Sequence, residues 1–216
     1  MIIDATYFEK GSLYIPNNKD ISAAPLSEGS AMSEIEFFID KYERELLLNA
    51  LGVTLYNLLV TAMDDLPSAD QKWQDLVNGK DYTINSKTHR WEGLKGYNKQ
   101  SLIAFYVYCQ YLRNDESTYT TTGVVQNTAK NAENYNPTGK YINAWSSFMC
   151  QYQKDNYYNE PRVIYNGSGE MGLDYFNNND VQRSLYQYLT DANELDPTAF
   201  PDFEFRFYNI KTSLGI

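Results

Sequence analysis

The chain is poor in positive charge, in histidine and in cysteine. Its 216 residues carry 28 acidic against 18 basic side chains, a formal charge of -10, with a single histidine, His89. Nucleic acids and anionic membranes are held by basic footprints, so the charge argues against a tight partner of either kind and leaves only loose, passing contact with DNA. The two cysteines, Cys109 and Cys150, fall in apolar helical patterns rather than in a metal spacing or a short disulfide framework, and read as buried thiols of a reducing compartment. Long apolar runs are missing too. Leu46 to Met63 is interrupted by Asn49, Gly52, Thr54, Asn57 and Thr61, short of the ~18 unbroken apolar residues of a membrane span. The opening MIIDATYFEK has neither the basic nor the apolar region of a secretory signal. The expectation is a soluble chain with no membrane partner.

Catalytic signatures are equally sparse. There is no Walker loop, no G-x-S-x-G elbow and no C-x-x-C pair. Gly167-Ser168-Gly169-Glu170-Met171-Gly172 spells G-x-G-x-x-G, but a dinucleotide site needs a hydrophobic helix opening at the third glycine, and LDYFNNND follows instead. Glu170 would also repel a phosphate, so the segment reads as a surface loop. His89 lies between Thr88 and Arg90 in a segment that resembles a hairpin, and reads as a solvated strand histidine rather than a base. Asp191, Glu194 and Asp196 faintly follow a calcium loop, yet Pro197 comes where the sharp turn needs glycine. The reading is of no enzyme, with no catalytic residue, no cofactor and no metal.

What is abundant is tyrosine, 20 residues. Tyrosine covers apolar surface while keeping a polar tip, which suits contact surfaces that must also survive in water. The alternative source is an AT-rich genome, whose codons favour Tyr and Asn.

The chain is long enough for a substantial core, burying roughly 70% of its unfolded surface. Residues 1–30 read as an extended arm with two short strands about Gly11, burying little. Residues 31–199 read as one mainly α-helical domain, a helical bundle with small β-hairpin or strand elements. Residues 200–216 read as a C-terminal strand. The helical part opens with a capping box, Ser33 and Glu36, followed by an apolar stripe of Ile35, Phe38, Ile39, Tyr42, Leu46 and Ala50. Gly52 ends that helix in the left-handed conformation, and Leu55, Leu58, Leu59 and Ala62 begin another. Ser68 and Gln71 cap a short helix through Trp73, and Asn85-Ser86 turn a hairpin. Gln100 to Leu112 is apolar on nearly every face, so it is buried at the centre of the domain or between subunits. A helix after Pro137 turns Tyr141, Trp145, Phe148 and Tyr152 inward, and Asn179 caps a last helix. In DFEFRFYNI, Phe203, Phe205 and Phe207 alternate with Glu204, Arg206 and Tyr208, as in a half-buried strand.

The first hairpin carries a resemblance. Phe38, Ile39, Tyr42, Glu43, Leu47, Leu51, Gly52, Leu55 and Tyr56 follow F-I-x-x-Y-E-x-x-x-L-x-x-x-L-G-x-x-L-Y. This resembles the opening helices of head-to-tail connector, or adaptor, proteins of tailed phages, especially those of Bacteroides-type hosts and crAss-like phages. The likeness extends over roughly residues 33–158 and is strongest in its first third. It implies a structural virion protein assembled in the host cytoplasm, whose copies, typically about twelve, form a ring beneath the portal or in a tail barrel. Such a ring joins portal to tail and lines the channel through which DNA leaves. Phe38, Ile39, Tyr42, Leu46, Gly52 and Leu55 would form the hairpin core. Subunit contacts are expected at Tyr7, Leu13 and Tyr14 of the arm and at Phe203, Phe205 and Phe207. The alternative is a tyrosine-rich protein-binding module of low oligomeric state.

Overall fold

The computed structural model describes residues 1–15, 34–115, 118–120, 123–125, 138–153, 163–165, 171–173 and 182–208. Among these the chain is mainly α, with helices α1 (Glu34–Asp64), α2 (Gln71–Asn78), α3 (Leu102–Asp115), α4 (Thr138–Gln153) and α5 (Leu185–Leu195). Three two-stranded antiparallel hairpins complete it: β1 (Lys80–Ile84) with β2 (Lys87–Trp91), β3 (Thr118–Thr120) with β4 (Gly123–Val125), and β5 (Val163–Tyr165) with β6 (Met171–Leu173).

α3 is the centre of the bundle, packed between α1 and α4. Every residue from Ser101 to Cys109 is buried, the outcome expected of a helix apolar all round. Its first turn is closed by the Ser101 hydroxyl, which accepts from the Ala104 N–H at 3.1 Å. Against it α1 turns the stripe read from sequence: Ile35, Phe38, Ile39, Leu46 and Ala50 are buried and Tyr42 half-buried. Ser33 lies outside the described residues, and with it the capping box.

Gly52 breaks α1, with φ 75° and ψ 170°. Such a break strands the carbonyls of the last helical turn before it. The Asn49 carbonyl is one of them, and the Arg206 N–H donates to it at 2.7 Å. The C-terminal segment thus crosses the break so closely that a Cβ on residue 52 would sit 3.1 Å from Glu204 Cβ. Glycine is required here both for the backbone conformation and for the crossing.

Several local expectations shift. The first fifteen residues are not strands about Gly11 but two 3-10 turns, Ala5–Phe8 and Gly11–Leu13. Nor do they bury little, since Ile2, Ile3, Phe8, Leu13 and Ile15 all join the main core. α2 is preceded by Asp70 as its N-cap residue, while Ser68 belongs to a 3-10 turn, Leu66–Ser68. α5 starts at Leu185 behind a true capping box: Ser184 Oγ accepts from the Gln187 N–H, and the Gln187 side chain accepts from the Ser184 N–H. Asn179, the expected cap, lies outside the described residues. The segment after Pro201 alternates as expected only as far as Arg206: Phe207 is exposed and Tyr208, expected on the outer face, is half-buried against Phe148 and Tyr152, and among the described residues the segment pairs with no strand.

The β1–β2 hairpin forms as read, with Asn85 and Ser86 at φ 50° and 63° in its two-residue turn. It is locked to α2 by Trp91, whose indole N–H donates to the Leu76 carbonyl at 3.0 Å and whose ring stacks on Tyr188 of α5 at 5.3 Å. α4 presents Tyr141, Phe148 and Tyr152 to the core, with Trp145 only half-buried.

Candidate functional site

The residues with reactive side chains are placed in structural roles. His89 is not a solvated strand histidine: it is 2% exposed. It faces Tyr82 across the hairpin, and its Nε2 lies 3.2 Å from Arg183 Nη2. A guanidinium can only donate, so this ring nitrogen accepts. Arg183 Nε in turn sits 3.1 Å from Asp191 Oδ2, off the N–H axis, so that contact is Coulombic rather than a hydrogen bond. The Tyr82 hydroxyl donates to the same carboxylate oxygen at 2.6 Å. The network ties the start of α5 to the hairpin, reinforced by the Arg183 N–H donating to the Arg90 carbonyl at 2.9 Å.

Sequence reasoning missed this burial because Arg183 and Asp191 lie about a hundred residues from His89 in the chain. Asp191 is thereby taken up in an ion pair, while Asp196 accepts from the Thr198 N–H and hydroxyl. No group of three metal-ligating side chains occurs among the described residues.

Of the glycine motif, Met171 and Gly172 are among the described residues. β5 precedes it, and Met171 and Gly172 belong to β6, antiparallel to β5. A strand returning antiparallel replaces the helix whose N-terminus would meet a pyrophosphate, so the dinucleotide reading fails on topology. Gly167 to Glu170 lie outside the described residues. Cys109 is buried in α3, and burial pushes its thiol up to about 12, far from a reactive thiolate. Cys150 is half-buried.

Of the fourteen tyrosines whose burial is defined, six are buried and six half-buried. Tyr82, Tyr106, Tyr108, Tyr141, Tyr152 and Tyr188 are buried, and their hydroxyls are often satisfied: Tyr106 donates to Glu45 at 2.7 Å and Tyr152 to the Arg206 carbonyl at 3.0 Å. Only Tyr14 and Tyr97 are exposed among the described tyrosines whose burial is defined. A tyrosine-rich contact surface is therefore not what the described residues present.

The residues expected at subunit contacts divide accordingly. Leu13 is locked in the chain's own core, 2% exposed. Tyr7 is half-buried and its hydroxyl donates to the Lys95 carbonyl at 3.0 Å. Tyr14 stays exposed. Phe203, Phe205 and Phe207 gather on Tyr186 of α5, with ring centroids 6.2, 5.1 and 4.9 Å away, and of the three only Phe207 remains exposed.

A larger surface lies on the helix that the sequence reading began with Leu55, Leu58, Leu59 and Ala62, of which Leu58 is turned outward. Beyond the Gly52 break, α1 exposes Val53, Thr54, Asn57, Leu58, Val60 and Thr61, with Val53 64% and Leu58 50% accessible. The signal was visible as the charge-free run from Leu46 to Met63 in a chain that is 21% charged. By length and composition alone α1 would also reach across a bilayer, contrary to the expectation from its interrupted run, but its helical geometry is broken at Gly52. An uncharged, partly apolar helix face of this kind is a candidate contact surface.

No curated protein and no solved structure matches the chain. The model of a family described only as a family of unknown function, DUF6712, matches residues 47–159, which include the exposed face of α1, the β1–β2 hairpin, α3 and α4. That match covers more than half of the 216 residues, and the chain belongs to the DUF6712 family.

Proposed function

We propose that this chain is a structural virion protein whose copies form a ring in a phage head-to-tail connector or tail barrel, joining portal to tail and lining the DNA exit channel. The observation that carries the reading is the uncharged exposed face of α1, Val53 to Thr61, which lies within the stretch resembling connector proteins. A ring is a closed chain of heterologous contacts and needs two different faces on each subunit. The α1 face supplies one; Tyr14 and the Phe207 end of the C-terminal segment belong to the other. The charge of -10 suits a conduit, since a bore rich in Asp and Glu repels phosphate and lets DNA slide. Lys and Arg then gather at subunit contacts, where they offset the repulsion between acidic copies.

The test is the mass of the assembled particle, measured for the chain alone and together with portal and neighbouring tail proteins. Wild-type chain is expected to enter a closed multi-copy ring. Leu58→Asp is expected to abolish that entry while changing folding stability by less than about 1 kcal/mol, because the side chain is half exposed in the single copy. A variant that still assembles would remove α1 from the interface, and a wild-type chain that stays a lone copy in the complete mixture would end the reading.

A further inference from the structure

The segment from Phe203 to Tyr208 is held as a bound peptide rather than as part of a sheet. Gln153 grips the backbone of Tyr208 at both ends of its side-chain amide: Nε2 donates to the Tyr208 carbonyl at 2.7 Å, and Oε1 accepts from the Tyr208 N–H at 2.6 Å. The Tyr152 hydroxyl donates to the Arg206 carbonyl at 3.0 Å, and the Arg206 N–H donates to Asn49 O at 2.7 Å. The Tyr208 ring is the anchor, with Phe148, Tyr152 and Trp145 at 5.5, 5.3 and 5.9 Å. Its hydroxyl accepts from Asn49 Nδ2 at 3.0 Å. Main-chain bonds and one aromatic anchor in a pocket are how a groove recognises an extended peptide.

None of these contacts depends on the peptide belonging to the same chain as the groove. The peptide leaves Phe200, whose backbone is held at both N–H and carbonyl by the Asn193 side chain, through a two-residue hinge, Pro201-Asp202. Asp202, directly after Pro201, is held at φ 54°, in the left-handed region, which strains an aspartate less than most non-glycine residues but more than glycine. A short strained hinge favours exchange of the element beyond it, because the exchanged form relaxes the hinge and keeps every contact.

We infer that residues 203–208 of one copy occupy the groove of Asn49, Trp145, Phe148, Tyr152 and Gln153 on a second copy. The occupant is a second copy because the groove is fitted to this sequence: Asn49 meets a tyrosine hydroxyl, and Gly52 clears room for the residue four before it. Passed in one direction around a circle, the exchange links each subunit to the next; passed back and forth between two, it closes a dimer. The inference builds on the ring reading and names the device that joins its copies.

The experiment places p-benzoylphenylalanine at Phe207, which rests 4.9 Å from Tyr186, in a full-length 15N-labelled chain. That chain is mixed with unlabelled wild-type chain, brought to equilibrium under assembly conditions and irradiated. Exchange predicts crosslinked peptides joining a labelled tail to an unlabelled Tyr186 segment. Asp202→Gly, which removes the hinge strain, should lower their yield about fivefold. Crosslinks only within one isotope overturn the inference. Mixed crosslinks confined to dimers support exchange while contradicting the ring, and rings with only same-isotope crosslinks do the reverse.

Discussion

Replacing Glu43 by alanine is expected to cost about 3 kcal/mol and to release residues 1–15 from the domain before the rest unfolds. Glu43 is buried on α1, and its carboxylate accepts from the Ile2 N–H at 2.8 and 3.0 Å and from the Ile3 N–H at 3.2 Å. Both donors are in buried residues, so removing the acceptor leaves them unpaired unless the segment peels away into water. Peeling caps the cost at the docking energy of that segment, which is why hydrogen exchange at Phe8 and Ile15 should rise first. Unchanged protection there would contradict the assigned role. Burial also raises the Glu43 pKa above the usual 4.5, against the opposing pull of the two N–H groups. A folded chain that binds this proton more tightly than the unfolded one keeps the group's full contribution below the ordinary carboxylate range and loses it as pH rises through the folded-state pKa. Measured against Glu43→Gln by denaturant midpoints, the wild type should therefore gain as pH falls from 7 to about 4.5. A loss over that interval would mean that the hydrogen bonds outweigh burial.

Gly93→Ala is expected to be the most damaging single-methyl change, costing roughly 4 kcal/mol or more. Gly93 sits at φ 81°, and a Cβ there would lie 2.5 Å from the Gly79 nitrogen and 2.6 Å from both the Asn78 carbonyl carbon and the Val77 carbonyl oxygen. These are backbone atoms, which cannot swing aside as a side chain would. The crowding also falls on the junction where the Leu94 and Lys95 N–H groups donate to the Leu76 and Val77 carbonyls at 3.0 and 3.1 Å, binding the exit of β2 to the end of α2. Losing that junction unseats Trp91 from the core. Gly139→Ala in α4, where a Cβ meets nothing within 4 Å, is the control, expected to be neutral or to stabilise by up to about 1 kcal/mol. Thermal midpoints of the two variants decide it: comparable values would show that the exit of β2 and the end of α2 part easily at this point.

What the sequence made legible was periodic. The α1 stripe, the Gly52 break, the burial of α3 and the Asn85-Ser86 turn each rest on residues within one or two helical turns or one hairpin of each other. What it hid depended on partners far along the chain. The burial of Glu43 was not legible because the N–H groups that satisfy it lie some forty positions earlier. His89 looked exposed because Arg183 is supplied by the approach to α5. Leu13 was assigned to a contact surface because nothing in its neighbourhood announces that the first fifteen residues fold into 3-10 turns against α1 and α3. The tyrosines were ambiguous for the same reason: a ring that suits an interface suits a core equally once its hydroxyl finds a carbonyl or carboxylate. Of the candidate contact residues, Phe203, Phe205 and Phe207 share one side and gather on Tyr186, an aromatic partner that no local pattern announces. The exposed face of α1 was legible as an absence of charge, and its exposure required knowing which side of the helix α3 takes.

The most direct test of the ring reading is a cryo-electron microscopy reconstruction of the assembled portal–tail complex containing this chain. The account predicts a closed ring in which Val53, Leu58 and Val60 of each copy are buried against a neighbour and carboxylates line the bore. A single copy in the particle, or a ring whose α1 faces point to solvent around a basic bore, would contradict it.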